Sequence, residues 1–521
     1  GQPLDATEDG GRSIVMRPED GAHLEAAVPA SAGRKKRGSG KPRYGPGRFQ
    51  YEMIRSELEE VVGADHISTS EADRLIYATD WFWAGQMWLD RGQSPVLPDY
   101  VVHPGSPEEI AAILEIANAY RIPVVPWGGG SGTQGGAMPV YGGIVVDLKR
   151  LDRIIEIDER ALTVTAQAGI NGTRLEWALN ERGLTLPHYP ASANCATLGG
   201  YLSPRGSGTI STKYGKAEDL VLSLQVVLPN GSIIRTPPVP SHASGPDFMR
   251  LFLGAEGTFG IITEATMQVD YLPEVRRFRA LLFDDVAGLE AGRRLMTRRL
   301  DPMVIRLYDP ASTVSIVRRT LGLELEGAYM VLGFDGDPDL AALQEEKALA
   351  LCEDLGGKDL GREPGERWWQ HRYDFYYPPR TLQFPWMYGT TETVCTFSRI
   401  EQVWQRQKEA VETGFGDWGV RFIAHFSHWW HWGVSMYSRF IVEEPPEDAQ
   451  EAIRLHNRIW NAAVTAALES GGMVNEHHGV GLKLSRFMRR QYGAAWPFLQ
   501  LLKRAVDPHG IMNPGKVGFG R

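Results

Sequence analysis

The sequence predicts an α+β protein of more than one domain, and three observations carry that reading. Residues 95–270 alternate short apolar runs with short amphipathic helices. Glycine-rich turns punctuate those runs repeatedly, and beyond residue 273 the composition shifts towards charged and aromatic residues. At 521 residues the chain is long enough for two or three domains with cores of their own.

The turn that organises the chain is Pro126 to Pro139, with six glycines in fourteen residues. It lies between the apolar runs Ile122–Pro126 and Ile144–Leu148, so the order is strand, glycine loop, strand. So many glycines leave little side chain to pack, and their main-chain N–H groups can converge on an anion such as a pyrophosphate. The loop is neither the G-x-G-x-x-G of a Rossmann fold nor a P-loop, because no Gly-Lys-Ser/Thr follows it.

Upstream, Met53, Leu58, Val61 and Val62 predict a first helix over 51–62. Asp99–Pro104 reads as a strand. Ser106, Pro107 and Glu109 form a helix start with a capping box, and Ile110, Ile113, Leu114 and Ala117 supply one apolar face. Downstream, Ile154–Ile157 and Leu162–Ala168 predict a hairpin. Thr173 and Glu176 repeat the capping-box spacing, and Gly183 can end the helix they open. Val221–Leu228 and Ser232–Arg235 flank Asn230-Gly231, a second hairpin. Further glycine turns fall at 197–208 and 254–260. Loops of this kind in series suit a long ligand lying across many turns, such as a dinucleotide.

Composition bounds the function. A hydrophobic content of 43% and a charged content of 23% are ordinary for a soluble protein. A net charge of −9 argues against nucleic acid as a partner, and no apolar run approaches a membrane span. The three cysteines, Cys195, Cys352 and Cys395, are far apart, which excludes a zinc ribbon or disulfide framework and suits a cytoplasmic protein. The first 48 residues are polar and include Arg34 to Arg37, and they read as a flexible arm or inter-subunit strap.

Taken together, Pro126–Gly132, Thr197–Gly200, Tyr214–Leu220, Ser244–Phe248, Gly254–Ala265, Ile305–Asp309 and His477–Gly481 resemble the flavoprotein family of vanillyl-alcohol oxidase and p-cresol methylhydroxylase. Within it they are most similar to the motifs of alkyldihydroxyacetonephosphate synthases, while Asp507–Lys516 is similar to 2-hydroxyacid flavodehydrogenases. The resemblance spans roughly residues 95–516. It implies FAD as cofactor, in a two-part FAD-binding domain over 49–273, with an α+β cap over an antiparallel sheet at 274–490 and a return to the FAD-binding domain at 491–521. Cofactor contacts would come from Trp127, Gly128, Gly129, Gly130, Ser131 and Gly132, from Thr197, Gly199, Gly200 and Ser207, and from Glu256, Gly257, Gly260 and Ile262.

For chemistry, Arg306 either pairs with Asp309 or anchors an anionic substrate group, and the match to an anchoring arginine of the synthases favours the second. His477 and His478 either support a tight turn or move protons near neutral pH. Glu476 departs from the synthase pattern, which has a histidine there. Tyr437 matches a tyrosine of that group. His425, His428 and His431 form a metal set with Glu476 only if they lie on a helix, since on a strand they would not share a face. No metal is therefore expected. The Arg-x-Gly-Gly-His pattern of covalent flavin attachment is missing, which leaves His371 or a histidine of the 425–431 group as attachment points and non-covalent FAD as the expectation. The aromatics Trp368, Trp369, Tyr373, Phe375, Tyr376, Tyr377, Trp386, Tyr388, Trp429, Trp430 and Trp432 are core residues or walls of a substrate cavity.

The expectation is an FAD-dependent oxidoreductase, a homodimer, that removes a hydride from a hydroxyl-bearing carbon of an aromatic alcohol or phenol. Oxygen or another carrier would reoxidise it. A synthase-like transferase without net redox change, and a D-2-hydroxyacid dehydrogenase, stand as alternatives.

Overall fold

The computed structural model describes residues 48–375 and 384–520. The arm at 1–48, its basic run, Tyr376 and Tyr377 fall outside the described residues, apart from the backbone of Arg48, which begins the first helix.

Three sheets position the site. The first carries Tyr100–Val102, Ile144–Asp147 and Val124–Trp127 as neighbouring parallel strands, with Ile67–Ser68 antiparallel at its edge. Parallel strands need a crossover, and helix Pro107–Tyr120 supplies it from Tyr100–Val102 to Val124–Trp127. Ser106 caps that helix as its spacing predicts, accepting from the Glu109 amide at 3.2 Å. The box closes one residue early, however, because the Glu109 carboxylate takes the Gly105 amide at 2.7 Å. Ile110, Ile113, Leu114 and Ala117 are buried on one face. The chain end returns to this sheet: Val124 N donates to Ile511 O and Asn513 N to Val124 O, each at 2.8 Å.

The second sheet is antiparallel, in the order Ile154–Asp158, Thr163–Gln167, Ile261–Gln268, Val221–Val227, Ile233–Arg235. Both expected hairpins are present in it. The helix expected to open at Thr173 starts at Gly172 instead. Asn171 caps it, its carboxamide oxygen accepting from the amides of Thr173 and Arg174. Glu176 turns away from the cap and takes the Leu186 amide at 2.9 Å and the Thr185 hydroxyl at 2.6 Å.

The third sheet spans eight strands and begins at Val275–Phe283, where the charged sequence had pointed to helix. Its arginines are charged partners rather than helix markers. Arg277 reaches Glu345 of helix Pro338–Asp354 at 2.6 Å, and Arg279 reaches Asp359 at 2.9 Å. At the centre lie Val304–Tyr308, Arg421–Trp429 and Gly433–Val442. Helices Gly288–Thr297 and Ile400–Glu412 cover one face. Leu307 packs against Gly288, Trp429 against Gly292, and Gln407 bonds Thr391 O and Ser438. The opposite face carries Arg306, Tyr308, His425 and Tyr437 towards the first two sheets.

Candidate active site

Between that face and the glycine loops lies a cavity with about 1630 Å³ of empty space, part of it open to solvent. Ser131, Gly132 and Gly200 line one wall, and Arg306, His425 and Tyr437 line the other.

The glycine loop is shaped by its neighbours. A Cβ at Gly128 would meet Thr197 Oγ1, one at Gly129 would collide with the Cys195 carbonyl, and one at Gly130 would enter the Trp127 ring. Trp127 itself is buried beneath the loop, edge-on to Tyr77 at 5.0 Å. The loop is thus pressed onto residues 195–197, where Thr197 caps helix Leu198–Leu202 and Gly199 packs on Ala168. Among the described residues, nothing accepts a hydrogen bond from the backbone amides of Gly129 to Gly132. Unpaired amides on a loop where side chains do not fit, beside a large cavity, form a nest for an anion such as a pyrophosphate.

Of the expected cofactor positions Ser131, Gly132, Gly200 and Ser207 line this cavity; Trp127 to Gly130, Thr197 and Gly199 lie behind that wall, and the four of the 254–262 segment are engaged elsewhere. Glu256 gives its carboxylate to the amides of Val480 and Gly481, the latter at 2.9 Å, and so ties the 254–260 turn to the 479–481 turn. Gly257 is required by Pro126, Gly260 by Val226 and Val227, and Ile262 is buried in the second sheet. Ser207 lines the cavity and donates to Glu476 at 2.7 Å.

The cap wall gathers the titratable residues. Arg306 does not pair with Asp309. That carboxylate caps the turn at Ser312 and accepts from Trp404 Nε1 at 3.2 Å. The buried Arg306 guanidinium lies 5.8 Å from the Trp368 ring centroid, its Nε has no partner, and among the described residues no carboxylate lies within 4 Å of it. Tyr437 stacks on His425 at 4.9 Å, and its hydroxyl is 3.3 Å from that of Tyr388.

The three histidines of 425–431 lie on a strand and the turn after it, not on a helix. A bulge still unites two of them. Phe426 pairs with Met436 and His428 with Ser435, so Ser427 is the extra residue and His425 and His428 both reach the cavity. The three do not share a face, as expected on a strand, but the bulge brings two of them to the cavity. His431 turns away and bonds Met296 O at 2.8 Å. Of the candidate metal set, His428 and Glu476 come together with His477, and a second group joins Glu392, His477 and His478.

These groups form one buried network. Glu476 Oε2 is 2.9 Å from His428 Nδ1 and 2.6 Å from His477 Nδ1. Its Oε1 is 3.0 Å from Lys216 Nζ, which also donates to the Glu476 carbonyl at 2.5 Å. Glu392 Oε2 is 3.1 Å from His477 Nδ1 and 3.0 Å from His478 Nδ1, both charge contacts off-line for a hydrogen bond. Its Oε1 receives the amides of His477 and His478 at 3.2 and 3.0 Å.

Burial opposes charge throughout, and the partners decide where it stays. Burial raises Glu392, but His477 and His478 outweigh it and hold the carboxyl down at about 2. Lys216 and the histidines likewise hold Glu476 well below the carboxylate range against its burial. Burial lowers His477, but two flanking carboxylates outweigh it and raise the imidazole above its ordinary value. For His478 burial wins and the ring is lowered, while His425 falls well below. Lys216 and a protonated His477 therefore balance Glu392 and Glu476, and a neutral His478 stands beside them.

Neither Glu392 nor Lys216 was identified from the sequence as a site residue. Glu392 sits at the break between strands Met387–Thr390 and Thr393–Thr396, in a run of threonines without chemical signature. Lys216 lay in plain view within Tyr214–Leu220, and an isolated lysine in a loop carries no local sign of burial.

Comparison with known proteins assigns the cofactor. Residues 98–237 match the FAD binding domain, and residues 272–517 match the FAD linked oxidases, C-terminal domain. The chain is 30% identical over 502 residues to an alkyldihydroxyacetonephosphate synthase of Dictyostelium discoideum, covering 90% of this chain and 81% of the relative. It is also 30% identical over 478 residues to the FAD-linked oxidoreductase YgcU of Escherichia coli (strain K12), covering 89% and 98%. Its fold is similar to that of p-cresol methylhydroxylase with substrate bound, at a TM-score of 0.74 and 18% identity over 91% of this chain and 98% of that one. The unpaired amides and the cavity fit such a cofactor, and the chain belongs to the FAD-linked oxidoreductases, with a fold similar to that of p-cresol methylhydroxylase.

Proposed function

We propose that this flavoenzyme oxidises a hydroxyl-bearing carbon of an aromatic alcohol or phenol that carries an anionic group. The observation that supports the reading most is Arg306, a buried guanidinium facing the cavity with no carboxylate within 4 Å among the described residues. A buried cation of this kind is stable when a ligand supplies the counter-charge. Trp368, Tyr373 and Tyr388 line the same cavity, and flat aromatic walls suit an aromatic ring better than an alkyl chain.

FAD bound against the glycine loop supplies the two-electron acceptor. In this reading Arg306 fixes the anionic end of the substrate and the aromatic walls exclude water around its ring. His478, neutral and backed by Glu392 at Nδ1, takes the hydroxyl proton at Nε2. The His477 imidazolium stays between Glu392 and Glu476 while His478 gains that proton and with it a positive charge, and Tyr437 presents its hydroxyl from the opposite strand.

A second reading is a transferase like the alkyldihydroxyacetonephosphate synthases, and the 30% identity to the Dictyostelium discoideum protein over most of both chains favours it. One experiment separates the two. The holoenzyme is mixed anaerobically with aromatic alcohols and phenols bearing a carboxylate or phosphate, and its flavin absorbance is followed. Bleaching by one of them, with affinity weakened at least tenfold in R306A, is the expected outcome. A spectrum that none bleaches, together with exchange of an acyl for an alkyl chain, would replace oxidation by the transferase reading.

A further inference from the structure

Among the described residues the buried lysines are Lys216, Lys483, Lys503 and Lys516. Three of them have oxygen partners. Lys216 bonds Glu476, Lys503 reaches Thr258 O at 2.6 Å and Asp507 at 2.5 Å, and Lys516 reaches Met138 O at 2.6 Å. Lys483 differs. It is 2% exposed, and among the described residues no oxygen accepts from its Nζ and no carboxylate lies within 4 Å. Its ammonium lies over the Trp460 ring at 4.4 Å and the Phe82 ring at 5.6 Å, and the side chain lines the cavity.

The backbone holds it there firmly. Leu482 N and Lys483 N both donate to Gln134 O, at 3.0 and 3.2 Å, so Lys483 hangs from the glycine loop itself. The close approach requires Gly481, where a Cβ would strike the Gln134 carbonyl. Lys483 also follows His478 by five residues on the same turn, and Glu392 is the carboxylate whose charge reaches it. It thus lies on the glycine-loop wall of the cavity, near enough to Glu392 to feel its charge. Burial and the nearby Arg486 both work against its charge. Aromatic faces return only part of what a solvated ammonium loses, so the group lacks an anion that the protein does not provide.

We propose that Lys483 is the cation this cavity holds for bound FAD, placed where it stabilises the negative charge that the ring gains on reduction. FAD offers two anionic features. The pyrophosphate is permanently charged and already has the free amides of Gly129 to Gly132. The ring becomes electron-rich only when reduced, and a fixed positive charge beside it makes reduction easier. Arg306, on the cap strand, remains available to the substrate.

The test is the midpoint potential of the holoenzyme, read from flavin absorbance by anaerobic equilibration with a reference dye, for the natural protein and for K483M, K483Q and K483R. In either neutral variant the equilibrium constant for reduction falls at least tenfold, which for a two-electron couple is a potential about 30 mV more negative. K483R stays near the natural value. A neutral variant that keeps its FAD at an unchanged potential overturns the proposal. So does loss of FAD by both neutral variants, because the charge would then serve the oxidised cofactor at its pyrophosphate.

Discussion

Glu392 Oε2 stands 3.0 Å from Nδ1 of His478, and the same carboxylate accepts the His478 amide through Oε1 at 3.0 Å. One acidic side chain thus holds the backbone of the neighbouring histidine by a hydrogen bond and faces its ring as a charge. A carboxylate behind Nδ1 orients an imidazole and strengthens Nε2 as a base. E392Q keeps the shape and removes the charge. Turnover falls roughly 100-fold in the expected outcome, a share of what a positioned base contributes. Because Glu392 raises both His477 and His478, both limbs of the pH profile of kcat/KM move to lower pH in this variant. A loss of rate with an unmoved profile would make Glu392 a purely structural prop.

The roles proposed for these two rings predict a bell-shaped profile for the natural enzyme. His478 is lowered from 6.5, so its protonation gives an acid limb below that value. His477 is raised from 6.5, so its deprotonation gives an alkaline limb above it. Stability follows the same signs. The contribution of His477 is complete below 6.5 and is lost as pH rises through its raised folded value. Glu392 contributes above its ordinary 4.5, and that share is lost as pH falls towards about 2. Thermal melts across pH 2–9 measure both losses.

Lys216 is the fixed cation of the network, and its removal uncovers the Glu476 carboxylate. In K216M unfolding becomes easier by about 3–5 kcal/mol, the usual cost of orphaning one member of a buried ion pair. Chemical denaturation measures it. Lys216 also opposes the proton on His477, so the alkaline limb moves to higher pH in the variant. The two readouts separate roles, because a lysine that only fills space leaves the limb where it was.

How much of this was legible in the sequence depends on the range of the interaction. Most local signals read correctly, the capping box at Thr173 excepted. The apolar face of Pro107–Tyr120, the hairpin at Asn230-Gly231 and the glycine turns depend on neighbours a few residues away. Val275–Phe283 misled because its arginines find Glu345 and Asp359 some 70–80 residues along the chain, so charge looked like solvent exposure. The bulge at Ser427 sets which histidines converge, and it arises from the register between two strands, which no single strand records. Glu392 and Lys216 acquire their roles only through burial against residues 84 and 260 positions away. Arg306 was found because a polar residue inside an apolar strand is conspicuous on its own.

The glycine loop offers a last contrast, between two of its glycines. At Gly129 a Cβ would run into the Cys195 carbonyl, main chain against main chain, where neither side yields without moving the loop. At Gly132 the nearest atom to a Cβ is Asp80 Oδ2 at 3.5 Å, an ordinary contact. If the amides of residues 129–132 bind the pyrophosphate, then shifting the loop by a small distance disperses the donors that must converge on one anion. G129A therefore emerges with less than a tenth of the natural FAD content, while G132A keeps most of it. The ratio of flavin to protein absorbance after gel filtration checks both. Apoprotein melts then show whether G129A has lost the cofactor or the fold, since a displaced loop on an intact core leaves the apoprotein transition cooperative and close to the natural one.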